Sequence, residues 1–177
     1  MQCLVLEYES GGEFPPFTKA HRGATVDLMA EPGATHDEPY HPSLLVLIRN
    51  APWPAIQALV ADLEVRRRPV TTLRVEPAEE LWFGRATYDV ATLTNPGTQV
   101  VVGLLGLLGP PWVHVEAGVV HLRARLLDPA QAEDVLNLAI EGLRAAGVEA
   151  QVVVQEIAAK DHSVWESLVR HSIGLDL

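Results

Sequence analysis

The chain has 177 residues, 48% of them hydrophobic, and a formal net charge of −10. This apolar content predicts a chain that folds, and the length allows one sizeable core or two small ones fused together. The negative charge argues against direct binding of nucleic acid by this chain alone, because a phosphate backbone is held by clustered Lys and Arg.

The sequence also favours a reducing compartment and no membrane partner. Cys3 is the single cysteine, so an internal disulfide is excluded. No secretory signal is visible, and the longest apolar run, residues 100–108, is about half of the roughly 20 residues that a spanning helix needs. We therefore expect a cytoplasmic protein.

Residues 1–95 predict an α+β half with one long loop. The loop is expected over residues 11–42, where Gly, Pro, Thr and acidic residues are scattered, with one short helical stretch at 17–22. Pro52 and Pro54 open a helix with apolar residues at helical spacing. Short apolar or alternating runs predict strands at residues 3–7, 44–49, 70–75 and 81–90.

Residues 96–177 predict a second α+β half. A short buried helix is expected at 98–108, and a longer helix has Asp128 as its N-cap and Pro129 in its first turn and ends before Gly147. A short terminal helix begins at Ser163. Strands are expected at residues 112–116, 119–127 and 151–157.

Both halves contain the strand–helix–strand pieces of the ferredoxin-like βαβ pattern. The fold class predicted is therefore α+β, with a mostly antiparallel sheet covered by helices. Two fused α/β halves, residues 1–95 and 96–177, are one form that this fold would take.

The predicted hairpin carries the first candidate site. With Ala117 and Gly118 as turn residues, His114 lies opposite His121, and the apolar residues of both strands share the core face. The other face is then a candidate ligand-binding surface, formed by Trp112, His114, Glu116, His121, Arg123 and Arg125. Two facing histidines can bind a divalent metal or titrate as a pair, and Trp112 with Arg123 can bind an anionic or planar ligand. An ordinary polar sheet face is the alternative.

The second candidate site is a loop rich in histidine. His36 and His41 flank acidic residues, and His21 comes earlier in the same predicted loop. Imidazole and carboxylate groups are ligands for zinc and other divalent metals, so these three histidines are the candidate metal ligands. The spacing matches no known metal signature, and a solvated loop or a lid over a ligand explains the same residues.

No pattern in the sequence indicates a catalytic centre. It has no Gly-rich phosphate loop followed by Lys, no G-x-S-x-G elbow, no C-x-x-C and no H-E-x-x-H. We therefore expect that the chain is not an enzyme. If it were one, residues 11–42 would be the place for its site.

The order of elements resembles a known family. The features that carry the likeness are the strand at 3–7, Phe14-Pro15-Pro16-Phe17, the strand at 44–49, the helix at 53–67, the apolar run at 100–108 before Pro110-Pro111, and the hairpin, helix and strand over 113–157. Over roughly residues 1–157 they resemble the N-terminal sensor-like region of bacterio-opsin activator-type helix-turn-helix transcriptional regulators. We expect no counterpart of the helix-turn-helix that reads DNA in that family within the residues after Ile157, which suffice for about one helix.

The resemblance implies a regulatory or ligand-sensing domain that acts through a small molecule or another protein, with a homodimer as the expected state. A divalent-metal-binding protein, using His36 and His41 or His114 and His121, is the first alternative. An enzyme of unknown reaction is the second.

Overall fold

A computed structural model describes residues 1–9, 13–30, 43–66, 70–87, 100, 104, 106–109 and 111–157. Its strands are β1 Gln2–Glu9, β2 Thr25–Ala30, β3 Ser43–Arg49, β4 Val70–Glu76, β5 Leu81–Thr87, β6 Trp112–Glu116, β7 Val119–Arg125 and β8 Ala150–Glu156. The longer helices are α1 Phe14–Ala20, α2 Trp53–Arg66 and α3 Ala132–Ala145.

The eight strands form one sheet in the order β4-β5-β3-β2-β6-β7-β1-β8. Every neighbouring pair in this sheet is antiparallel. Together with the helices, this confirms the predicted α+β class and the mostly antiparallel sheet.

Each end of the sheet contains one strand–helix–strand crossover. At one end, α2 connects β3 to β4, and β5 lies between these two strands. At the other end, α3 connects β7 to β8, and β1 lies between them. The first strand of the chain is therefore paired with strands that follow residue 96, so the sheet interleaves the two predicted halves.

The helices lie on one face of the sheet, where they form the main core. Ile56 and Leu63 of α2 and Val135 of α3 are fully buried there with strand residues such as Leu4 and Val46. Burying a side chain of this kind stabilises the fold by about 1.5–3 kcal/mol. The alternation of strand residues sends the neighbouring side chains to the opposite face.

That opposite face has a smaller apolar cluster of its own. Leu45, Leu47 and Phe83 are buried there, with Met29 and Trp112 partly buried beside them. Polar and charged side chains occupy the same face on β2, β6, β7 and β1. The candidate site lies on this part of the sheet.

One part of the sequence prediction is wrong. Residues 11–42 were expected to form one long loop with a single short helical stretch, to which α1 corresponds, yet they also contain a whole strand, β2, near the middle of the sheet. Neighbouring Gly and Pro residues suggested a loop, but pairing with β3 on one side and β6 on the other holds Thr25–Ala30 in a strand. The short helix also begins at Phe14, three residues earlier than predicted.

Several predictions fall outside the described residues. They are the loop segment 31–42, the end of the predicted strand at 88–90, most of the predicted helix at 98–108 and the terminal helix that begins at Ser163. Within the described part of the chain, no helix combines the length and the apolar character needed to cross a membrane.

Candidate ligand-binding face

The hairpin of β6 and β7 forms with the register that the sequence predicted. Ala117 and Gly118 have φ values of 51° and 81°, which suits a two-residue turn with both residues in left-handed conformations. His114 pairs with His121, and Trp112 pairs with Arg123. The turn is also anchored to α1, since Gly118 N donates to Thr18 Oγ1 at 3.0 Å.

Trp112 and Arg123 form the first part of the site. The guanidinium carbon of Arg123 lies 5.0 Å from the centroid of the Trp112 ring, which is the geometry of a cation–π contact. This pair forms part of the wall of a cleft of about 180 Å³. Its lining includes Cys3, Trp112, Arg123, Arg125, Leu127 and Ile157.

The cleft combines apolar walls with positive charge. Arg123 and Arg125 are its described cationic side chains, and Leu127 is 53% exposed at its rim. Cys3 is buried, and its burial raises the pKa of the thiol, so this cysteine lacks the thiolate character of a reactive nucleophile. The arrangement can hold a small ligand with a flat apolar part and a negative charge.

His114 forms the second part of the site, because a carboxylate faces each of its ring nitrogens. Nδ1 lies 2.7 Å from Oδ1 of Asp27, and Nε2 lies 3.2 Å from Oε2 of Glu116. The hydrogen bond to Asp27 is the main reason that the pKa of His114 is raised above 6.5, while burial opposes the shift. Two carboxylates stabilise the doubly protonated ring, which donates to both.

Asp27 is the residue of this site that the sequence analysis missed. Its side chain is only 3% exposed, and besides His114 it faces Arg49, whose Nη2 lies 3.6 Å from Oδ2 of Asp27. β2 brings it next to β6, with Asp27 directly opposite His114. The sequence carries one signal for it, an acidic residue enclosed by apolar neighbours in residues 25–30.

His121 extends the polar side chains across two further strands. Its ring centroid lies 6.0 Å from that of His114, and its Nδ1 lies 3.8 Å from Oε2 of Glu7 on β1. Asp27, His114, His121 and Glu7 therefore form one row across four neighbouring strands, β2, β6, β7 and β1.

The metal hypothesis gains no support from the described residues. Among them, no three His, Cys, Asp or Glu side chains are grouped so as to hold a metal ion. His21 follows the end of α1 and contacts Phe17, with 5.0 Å between the ring centroids. The other two candidate ligands, His36 and His41, lie outside the described residues.

No family model matches this chain, and no curated protein matches it either.

Proposed function

We propose that this chain is a ligand-sensing domain that binds a small, anionic, planar molecule at Trp112, Arg123 and Arg125. The observation that carries the proposal is the Arg123 guanidinium, 5.0 Å from the Trp112 ring, at the mouth of a cleft that Arg125 also lines. Such a pair offers a flat surface for a ring and a forked donor for a carboxylate.

Charge supports an anion at this place in an otherwise acidic protein. The formal net charge is −10, so a surface that gathers two arginines needs a local reason. Arg123 and Arg125 both project from β7 on the same face, two residues apart. A bound carboxylate between them would be held by charge-assisted hydrogen bonds, each worth about 1.5–3 kcal/mol.

The regulatory part of the proposal rests on the likeness to sensor-like regions of helix-turn-helix regulators. Binding would bias the conformation or the association of the domain, and a partner protein or a second copy of the chain would transmit the signal. We also propose that the fold is built from ferredoxin-like halves. Support for this comes from the two crossovers, through α2 and α3, that each enclose one antiparallel strand.

The test uses benzoate as the probe and benzamide as its uncharged counterpart, titrated calorimetrically into the untagged chain. Benzoate should bind saturably and benzamide much more weakly, because only benzoate carries the charge that the arginines recognise. Arg123→Met should weaken benzoate binding by about tenfold or more, as expected for loss of a charge-assisted pair. Trp112→Leu should weaken it less.

Arg66→Met is the matched control, because Arg66 is an exposed arginine at the end of α2 whose partner is Asp62. It should leave benzoate binding unchanged. Equal affinity for benzoate and benzamide, or an equal loss in both arginine variants, would refute an anion site at Arg123.

A further inference from the structure

A second place on the same face contains three buried polar atoms that have no hydrogen-bond partner among the residues that the structure describes. They are Oγ1 of Thr25, Oδ2 of Asp27 and Nε of Arg49. Thr25 and Asp27 are two residues apart on β2, so their side chains share a face, and Arg49 of β3 lies directly opposite Thr25. The three atoms therefore belong to one small region.

Leaving such atoms unpaired is costly, so their coincidence needs a cause. Thr25 is 9% exposed and Asp27 is 2% exposed. A buried polar group without a partner costs about 1–3 kcal/mol, and most proteins avoid the cost by pairing it within the chain or with an ordered molecule. Three in one place mark a position where a polar group from outside the chain would find partners.

The chemistry of the three atoms defines that group. The Asp27 carboxylate oxygen needs a donor, and the Arg49 Nε–H needs an acceptor. The Thr25 hydroxyl can either donate or accept a hydrogen bond. The negative and positive charges nearby are equal in number. Asp27 faces both Arg49 and His114, and Glu116 faces the second ring nitrogen of His114. An uncharged group therefore fits better than an ion.

We infer that Thr25, Asp27 and Arg49 form a binding subsite for an uncharged group that carries a hydrogen-bond donor beside an acceptor, as a primary amide does. The group enters beside Arg49, whose side chain is 40% exposed while the Asp27 side chain beneath it is 3% exposed. The incoming group donates to the Asp27 oxygen, which Arg49 Nη2 approaches only to 3.6 Å, and accepts from the Arg49 Nε–H.

This subsite is separate from the cleft at Trp112. Trp112 pairs with Met29, and Thr25 lies four residues before Met29 on β2. Four residues of strand span about 13 Å, so the inference does not depend on the anion site. Failure of one site would leave the other in place.

The test is a titration of the nitrogen-15-labelled full chain with acetamide, followed by two-dimensional NMR. N,N-dimethylacetamide is the matched control probe, because it keeps the carbonyl acceptor and lacks the N–H donor. Acetamide should produce saturable shifts at the amides of residues 25–27 and 49, and the dimethyl compound should not.

Thr25→Val removes the hydroxyl with little change in shape and should weaken acetamide binding about fivefold, while Thr25→Ser should retain it. Thr71→Val, at an exposed threonine of the edge strand β4, is the control and should have no effect. Equal shifts with both probes, no saturable shift, or unchanged affinity in Thr25→Val would overturn the inference and leave an ordered water as the occupant. The comparison of the two probes on the wild-type chain decides the matter even if a variant fails to fold.

Discussion

Oδ1 of Asp27 lies 2.7 Å from Nδ1 of His114, across the junction of β2 and β6 at the centre of the eight-stranded sheet. The carboxylate is almost completely buried, so it holds the imidazole in one orientation and favours its charged form. The pair joins two strands whose residues are 87 positions apart in the sequence.

The stability of the fold should depend on pH through His114. Its folded-state pKa is raised above 6.5, mainly by Asp27, so the charged ring stabilises the fold fully at pH values below 6.5. That contribution is lost as the pH rises through the folded-state pKa. Urea unfolding of the wild type and of His114→Gln should therefore show a wild-type advantage that shrinks with rising pH. A difference that stays constant from about pH 6 to about pH 9 would contradict this.

Removal of the buried carboxylate should destabilise the protein strongly. Asp27→Ala leaves His114 and Arg49, which are partly exposed, without their shared partner, and the loss of hydrogen bonds to a charged group costs about 1.5–3 kcal/mol. Asp62→Ala is the control, because Asp62 forms an exposed pair with Arg66 on α2 and its loss should cost about 0.5 kcal/mol or less. Urea unfolding of both variants measures the contrast, and similar losses in the two would count against the role of Asp27.

Gly84 should tolerate no side chain. A Cβ atom there would overlap the Trp82 ring and lie 2.7 Å from the carbonyl oxygen of Thr71, so Gly84→Ala should lower the free energy of unfolding by about 1–3 kcal/mol. Gly109→Ala offers a comparison, since its nearest neighbour would be 3.7 Å away. In thermal unfolding, the melting temperature of Gly84→Ala should be well below that of Gly109→Ala. Equal melting temperatures would show that β4 and β5 move apart at little cost to make room for the added methyl group.

The turn of the β6–β7 hairpin can be improved. Ala117 has φ 51°, a left-handed conformation that is strained by about 1 kcal/mol for alanine, whereas asparagine followed by glycine is the preferred pair for such a turn. Ala117→Asn should therefore raise the free energy of unfolding by about 0.5–1 kcal/mol. Ala117→Val should lower it. The opposite order in urea unfolding would mean that the turn is held by α1, through Thr18 and Gly118, rather than by its own residues.

The hairpin shows what the sequence can predict about this site. The turn residues Ala117 and Gly118, together with the alternation of apolar side chains, determine the register, because a slip by one residue would send the core face to solvent. The pairing of His114 with His121 and of Trp112 with Arg123 was predicted on that basis and is confirmed.

The other half of the site could not be predicted in the same way. Asp27 lies in a strand that local pattern did not reveal, because β2 is stabilised by pairing with β3 and β6 rather than by its own residues. The place of β1 between β7 and β8 is equally non-local, since no periodicity within residues 2–9 indicates a partner beyond residue 119. The sensing role, the ligand and the partners remain predictions.

The position of β1 also bears on how the protein reaches its native state. β1 precedes both of its neighbours in the sheet, β7 and β8, by more than a hundred residues, so it is translated well before either of them. Contacts at such long sequence separation raise the contact order and slow folding. Until β7 emerges, the apolar side chains of Leu4 and Leu6 lack their partner strands, so the nascent chain is exposed to aggregation over that interval.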